Sequence, residues 1–271
     1  MKGKGFRDWA GRTAIVTGAS SGIGAATARE LARRGMRVAL VARRRERLAE
    51  LADEIGRAGG TASVHSCDVA DRAAVEVAFR EIESAQGGVD LLVNNAGYVR
   101  HTLFVDHDLG DIERMLRVNT LGTVYFIKLA LPGMRRRGGG AIVNLSSLAG
   151  ILPQPDEAAY SAAKAAISAL SEVLFYELEP YGIHVLAVHP GLVRTEMFTP
   201  EDLARMPKGS EKRFLEPADF VSRMLAALEK GESSVVIPRA YRIAVWLKNL
   251  IPALGRSTAN QRLKALPDFP G

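Results

Sequence analysis

Tyr160 and Lys164 stand four residues apart in Ala158-Ala159-Tyr160-Ser161-Ala162-Ala163-Lys164. On a helix, two residues at that spacing share one face. Free tyrosine titrates near ~10 and is a poor acid–base catalyst at neutral pH. A neighbouring ammonium favours the phenolate and lowers that pKa, each unit being worth about 1.36 kcal/mol. The phenol then becomes a usable proton donor to a developing alkoxide. Ser147 lies 13 positions before Tyr160, just after the strand-like run Ala141 to Leu145. A second hydroxyl on the same carbonyl oxygen makes an oxyanion-hole arrangement, in which losing one donor typically costs ~100-fold or more. Asn119, in Arg117-Val118-Asn119-Thr120, falls mid-helix, where asparagine is a mediocre former. It can open the helix to a water that relays protons toward Lys164. Singly, each residue also has a plain structural reading: a core tyrosine, a solvated lysine, a turn serine. The chemical reading rests on their joint arrangement.

A second constellation sits near the N-terminus. The run Thr13 to Thr17 leads into Thr17-Gly18-Ala19-Ser20-Ser21-Gly22-Ile23-Gly24, and a helical pattern follows. Glycines let backbone approach a pyrophosphate, and the helix start offers free amides and a positive dipole end. The alternative is a turn with no ligand. The next strand ends in Leu40-Val41-Ala42-Arg43-Arg44. A carboxylate there would bind an adenosine ribose and favour NAD; instead Arg43, with Arg44 as helper, can grip a ribose 2′-phosphate. NADP(H) is therefore the expected cofactor. The alternative is a pair of surface arginines at a helix start, where positive charge wants a compensating anion. Asp68, followed by Val69, could accept from the adenine amino group or cap a helix. Asn94-Asn95-Ala96-Gly97 reads as a tight polar turn against which a ring or ribose can lie. No metal ligand set is singled out, so no metal ion is expected.

These residues need a frame that brings loop ends together. Short β-branched runs alternate with amphipathic stretches along the chain. Strands are expected at Thr13–Thr17, Arg37–Ala42, Ala62–Ser66, Leu91–Val93, Ala141–Leu145, Val185–Val188 and Val235–Ile237. Helices are expected at Ile23–Arg34, Glu46–Ala58, Ala73–Ala85, Leu109–Met134, Ala158–Tyr181 and Ala218–Leu228. Such alternation predicts an α/β fold: one doubly wound, Rossmann-type domain over residues 1–271, its seven-stranded parallel sheet covered by helices on both faces. Residues 194–213 interrupt the rhythm and are read as a substrate lid. Residues 240–271 extend past the last strand as an amphipathic C-terminal segment.

Composition bounds the alternatives. The 271 residues are 47% hydrophobic and 24% charged, an ordinary globular balance. The single cysteine, Cys67, excludes an intrachain disulfide and fits a reducing compartment, so the cytoplasm is the expected location. Met1 to Arg12 has no apolar run, so no signal peptide is expected. The net charge is +6. Its basic clusters are short and lack interleaved aromatics, so no nucleic-acid partner is expected.

Over Gly11 to Pro238 the chain resembles the short-chain dehydrogenases/reductases, of the NADP(H)-preferring type with a Tyr-x-x-x-Lys active site. The motifs that carry the resemblance are Thr17-Gly18-x-x-x-Gly22-x-Gly24, Asn94-Asn95-Ala96-Gly97, Ser147 with Tyr160-x-x-x-Lys164, and Pro190-Gly191 with Thr195. The resemblance implies that Tyr160 is the general acid–base and that Ser147 positions the carbonyl. It implies that Lys164 holds the nicotinamide ribose and tunes Tyr160, and that Asn119 holds a relay water. By the same resemblance Pro190, Gly191, Val193 and Thr195 contact the nicotinamide amide and phosphates. Homodimers or homotetramers through the two long helices are also implied.

Tyr98, Leu148, Leu152, Leu192, Met197 and Phe198 are expected to line the substrate crevice. They are mostly apolar, which favours a lipophilic ketone–alcohol pair over a sugar acid. In the tail, Ile243, Trp246, Leu247 and Leu250 share a helical face with Arg242 and Lys248 nearby. Such a stripe can lie in a membrane interface, giving peripheral contact; it can equally cover the substrate mouth, its own domain or a neighbouring subunit. Two other classes remain open at this point: a non-catalytic NADP(H)-binding scaffold, and a peripheral membrane or nucleic-acid binding module.

Overall fold

A computed structural model describes residues 3–205, 210–251 and 263. The chain runs β1 (Thr13–Thr17), α1 (Gly22–Arg33), β2 (Arg37–Ala42), α2 (Arg45–Arg57), β3 (Thr61–Ser66), α3 (Arg72–Gln86) and β4 (Leu91–Asn94). It continues through α4 (Leu109–Leu116), α5 (Gly122–Arg136), β5 (Gly140–Leu145), α6 (Ala158–Leu178) and β6 (Ile183–Pro190). Then come α7 (Pro200–Arg205), α8 (Pro217–Glu229), β7 (Ser234–Ile237) and α9 (Tyr241–Leu250).

The strands form one sheet in the order β3-β2-β1-β4-β5-β6-β7, every neighbouring pair parallel. Period-two alternation sends their side chains to two faces. Ala14, Val16, Val38 and Leu40 join one apolar cluster with Leu31, Leu48 and Phe220 of α1, α2 and α8. Ile15, Ala39 and Val41 join the other with Phe79, Phe126 and Phe175 of α3, α5 and α6. Helices therefore cover both faces, as the uninterrupted apolar strands require. Burial of Phe220 and Phe126, each fully enclosed, contributes roughly 1.5–3 kcal/mol apiece.

Chain order reverses between β1 and β4, so the loops leaving those strands part and open a crevice at the carboxyl edge of the sheet. Thr17 bridges that crevice: its Oγ1 accepts from the amides of Asn95 at 2.9 Å and Ala96 at 3.0 Å.

The expected single helix Leu109–Met134 is divided. Arg117–Leu121 forms a π turn between α4 and α5. The cause is Asn119, whose side-chain Nδ2 donates to the Met115 carbonyl at 3.1 Å and to the Tyr98 carbonyl at 2.9 Å. With the Met115 acceptor claimed by a side chain, the ladder slips to longer steps, and the Gly122 amide bonds Arg117 O. The helix expected to reach Tyr181 ends at Leu178, and Glu179–Tyr181 close it as a 3₁₀ turn before Gly182 at φ 70°. Of the expected lid, residues 206–209 lie outside the described residues, as do 252–262 and 264–271 of the C-terminal segment.

Candidate active site

The carboxyl ends of β4 and β5 and the start of α6 deliver the acid–base candidates to one place. Ser147 starts a 3₁₀ turn after β5, and its Oγ accepts from Ala149 N at 3.1 Å. The Ser147 side chain also acts on the Tyr160 phenol, lowering that group's pKa. Lys164 is 4% exposed, and its Nζ donates to the Leu145 carbonyl at 2.8 Å. The same Nζ lies 5.8 Å from the Tyr160 ring centre. Gly97 faces this pair. A methyl group there would run into Asn119 Oδ1 and stand 3.2 Å from Lys164 Nζ, so only glycine leaves the space open.

The electrostatics differ from the simplest expectation. Burial dominates at Tyr160 and pushes its phenol up to about 12, against the lowering effect of Ser147 and with a further rise from Glu157. Burial also lowers Lys164 to about 8. The lysine is turned toward a backbone carbonyl, so its charge does not by itself lower the phenol. A usable phenol needs additional positive charge in the crevice.

Asn119 is fully buried in the π turn. Its amide clamps the Tyr98 backbone from both sides, Oδ1 accepting from Tyr98 N at 3.2 Å while Nδ2 donates to Tyr98 O. Asn119 thus interrupts the helix and spends its side chain on the loop beyond Gly97.

The glycine loop is held from below. Asn95 Nδ2 donates to Thr17 O at 2.9 Å and Gly18 O at 3.3 Å. Gly18 has φ +65°, and a Cβ on Gly18 or Gly24 would meet that same Asn95 nitrogen. Asn95 is therefore a clamp under the loop, a role its turn sequence does not reveal. Ile23, in the first turn of α1, packs against the core. Ser21 stands at the N-cap of α1 without a side-chain cap bond, and no acidic residue occupies the first turn. First-turn amides beside two serine hydroxyls suit an anionic phosphate. The residues present fit a dinucleotide.

At the rim, Arg44 reaches the loop and Arg43 does not. Arg44 donates to Ser20 Oγ at 3.1 and 3.0 Å and to Ser21 Oγ at 2.7 Å. Arg43 is exposed, and its charge adds to others acting on Asp68. Arg44, expected as the helper of Arg43 at a 2′-phosphate, is thus the one of the two that bonds the glycine-loop serines. Asp68 is not a helix cap: Asp71 caps α3, accepting from Ala73 N and Ala74 N. Burial alone would raise Asp68, but Arg114 at 2.7 Å and the Ala70 amide at 3.0 Å hold its carboxyl below the usual range. Val69 is buried against the face that carries α5.

After β6, Pro190 ends the strand and Gly191 N donates to Ile237 O at 2.8 Å. The Tyr241 ring of α9 fills the space a Gly191 side chain would need. Val193 is buried and bridges to Leu215. Thr195 packs on Gly22, so the segment after β6 crosses the glycine loop.

The expected substrate residues divide. Tyr98 packs with Met115, Ala149, Ala159 and Tyr160, and its hydroxyl donates to Asp111 Oδ1 at 3.1 Å. Leu148, Leu152 and Leu192 are half-buried, and Met197 is exposed. Phe198 stacks edge-on against Phe214 at 5.4 Å. Lys248 of α9 donates to the Ile151 carbonyl at 2.9 Å, which ties that helix to the loop ahead of α6.

Two charged groupings escaped the sequence reading. His101 Nδ1 lies 3.8 Å from Asp156 Oδ2 and 3.5 Å from Glu157 Oε1, joining the loop after Gly97 to the start of α6. Glu196 pairs with Arg44 at 3.0 Å and Arg47 at 2.6 Å. Neither leaves a spacing signal, because the partners are over 50 and about 150 positions apart.

The sequence profile of the short chain dehydrogenases matches residues 12–205. An uncharacterized oxidoreductase of Mycobacterium tuberculosis is 41% identical over 195 residues, covering 70% of this chain and 57% of the relative; the chain thus spans little more than half of that relative's length. Among solved structures, L-sorbose reductase from Gluconobacter frateurii, complexed with NADPH and L-sorbose, is 27% identical. It superposes with a TM-score of 0.77 over 85% of this chain and 97% of its own. A 7α-hydroxysteroid dehydrogenase, complexed with NADH and 7-oxo glycochenodeoxycholic acid, is 26% identical with a TM-score of 0.77 over 84% of this chain and 93% of its own. The chain belongs to the short-chain dehydrogenase family of oxidoreductases.

Proposed function

We propose that this protein is an NADP(H)-dependent oxidoreductase that interconverts a ketone or aldehyde with the corresponding alcohol, on a lipophilic substrate. The observation that carries the reading is the meeting of Ser147, Tyr160 and Lys164 at the carboxyl edge of the sheet, beside a glycine loop with uncapped helix amides. A bound reduced nicotinamide supplies the hydride for the carbonyl carbon and is left oxidised and positively charged. Ser147 and Tyr160 hydrogen-bond the carbonyl oxygen, and Tyr160 gives it the proton that completes the alcohol. Lys164 leaves the Leu145 carbonyl for the ribose hydroxyls, and its charge then supports the Tyr160 phenolate. In the alcohol-oxidising direction the same phenolate takes the proton back.

Thr17, Gly18, Ser20, Ser21, Gly22, Ile23 and Gly24 form the pyrophosphate cradle in this reading, with Asn95, Ala96 and Gly97 beneath the ribose. Pro190, Gly191, Val193 and Thr195 close its far side. Asp68 and Val69 flank the adenine. Arg44, with Arg43, faces the ribose 2′-phosphate: Ala42 leaves no carboxylate at the end of β2, and Arg44 is already on the loop. NADPH accompanies one similar structure and NADH another, so the preference rests on these arginines. The lipophilic substrate is favoured by Leu148, Leu152 and Leu192 around the mouth and by α9, whose Ile243, Trp246 and Leu250 are exposed. That helix is also the segment through which peripheral membrane contact would occur. Exposed Leu116, Leu121, Val173 and Tyr176 on the α4–α5 and α6 faces favour a homo-oligomer.

The test is a binding titration with NADPH and NADH, followed by turnover on aliphatic, steroid-like, aromatic and sugar ketones. Tighter NADPH binding and turnover of the bulky apolar ketones are expected. Equal binding of both cofactors removes the phosphate contact, and turnover confined to sugars removes the lipophilic substrate. NADPH binding with no turnover on any ketone points to a nucleotide-binding scaffold.

A further inference from the structure

We infer that Glu196 sets how strongly the protein distinguishes a phosphorylated from an unphosphorylated dinucleotide, by competing with the 2′-phosphate for Arg44 and Arg47. This rests on the NADP(H) reading of the site. Both carboxylate oxygens of Glu196 are used: Oε2 lies 3.0 Å from Arg44 Nη1 and Oε1 lies 2.6 Å from Arg47 Nη1. The remaining nitrogens of Arg44 hold Ser20 and Ser21 Oγ at 2.7 to 3.1 Å. Two guanidinium groups and two hydroxyls are thus gathered at the mouth of the glycine loop. All are donors that suit a phosphate ester. Among the described residues, Glu196 is the one carboxylate in ion-pair contact with either arginine.

The anion comes from the other side of the crevice. Glu196 follows Thr195, whose methyl lies 2.9 Å from where a Gly22 Cβ would stand, so the segment after β6 is laid across the loop at this point. The pair of arginines holds the Glu196 carboxyl below its ordinary range, so it is charged at neutral pH.

A ribose 2′-phosphate brings close to two negative charges and three acceptor oxygens. It needs the guanidinium donors that Glu196 occupies, and it is repelled by the carboxylate if both stay. An unphosphorylated ribose makes neither demand. Glu196 therefore weakens NADP(H) selectively and leaves NAD(H) nearly untouched. It exchanges affinity for release: when the phosphate leaves, the carboxylate takes over its partners. The contacts are exposed, with side-chain exposures of 44–52%, so the effect is modest and screened by salt. Two such pairs correspond to about a three- to tenfold change in affinity.

The experiment measures dissociation constants of NADPH and NADH for the full chain and for Glu196→Gln, Arg44→Gln and Arg43→Gln, each at low and high salt. Glu196→Gln is expected to tighten NADPH about three- to tenfold and NADH less than about twofold, with the gain shrinking at high salt. An unchanged NADPH constant, or an equal change in both cofactors, overturns the inference. The arginine variants separate it from the reading beneath it. If Arg44→Gln weakens NADPH selectively while Glu196→Gln changes nothing, the Glu196 inference alone fails. If neither arginine variant alters the NADPH-to-NADH ratio, the 2′-phosphate reading fails and this inference with it.

Discussion

The proposed acid–base pocket and the proposed cofactor rim use opposite physics. At Ser147, Tyr160 and Lys164 the groups are few, Tyr160 and Lys164 are buried beside the half-buried Ser147, and burial is the largest influence on both titrating residues. At the rim, Arg44, Arg47 and Glu196 are half-exposed and held by ion pairs, with the exposed Arg43 beside them. Burial makes each atom of the first region expensive to move and chemically specific. Exposure makes the second region adjustable, with each charge contributing little and salt able to erase it. A change in the pocket should abolish turnover, and a change at the rim should grade affinity.

The largest expected effect is that of Tyr160→Phe, which removes the proton donor and keeps the ring. It should leave NADPH binding within about twofold and lower kcat by roughly 10³-fold or more, within the range of acid–base and oxyanion contributions. Turnover near wild type in steady-state assays would place the proton donor elsewhere. Next is Ser147→Ala, expected to lower kcat ~100-fold with a small change in cofactor affinity. A change confined to KM would make Ser147 a binding residue only.

The third test concerns stability. Lys164 has a folded pKa of about 8, below its ordinary 10.5, so the fold disfavours its charge. Between those values the unfolded chain binds the proton and the folded chain does not, so stability rises as pH climbs from about 8 toward 10.5. Below pH 8 both states are protonated, and the full penalty, at most on the order of 3 kcal/mol, is present. Lys164→Met loses the bond to Leu145 and also this rise. Urea unfolding of both proteins between pH 7 and 10 should show wild type gaining stability relative to Lys164→Met as pH rises if the lysine titrates as described, and parallel curves if it does not.

The smallest effect is at the rim. Arg44→Gln is expected to weaken NADPH about tenfold, NADH far less, and to flatten the salt dependence of NADPH binding. A loss of kcat with unaltered affinity would put Arg44 in the pocket's class and blur the distinction between the regions.

The two regions also differed in how far the sequence revealed them. The strand–helix alternation, the glycine loop and the Ser147, Tyr160, Lys164 set were all legible, because each is a local pattern on a regular element. Asn119 stood out as a poor helix former, and the π turn it makes was hidden because it depends on the Tyr98 carbonyl, 21 positions away. That Arg44 bonds the glycine-loop serines was not legible, since adjacent residues at a helix start point in different directions. Glu196 meeting Arg44 spans 152 positions and leaves no pattern. The pKa of Tyr160 was read from its lysine neighbour, and the larger influence, enclosure in a cluster with Met115 and Ala149, comes from segments that only tertiary packing assembles.

In the proposed mechanism Tyr160 becomes a proton-transfer group only when positive charge joins it. The most direct measurement is the ultraviolet tyrosinate titration of the full chain, taken as the difference between wild type and Tyr160→Phe, with and without saturating NADP⁺. Ionisation is expected near pH 12 without cofactor and several units lower with it. A Tyr160 signal that does not move on cofactor binding would contradict this mechanism.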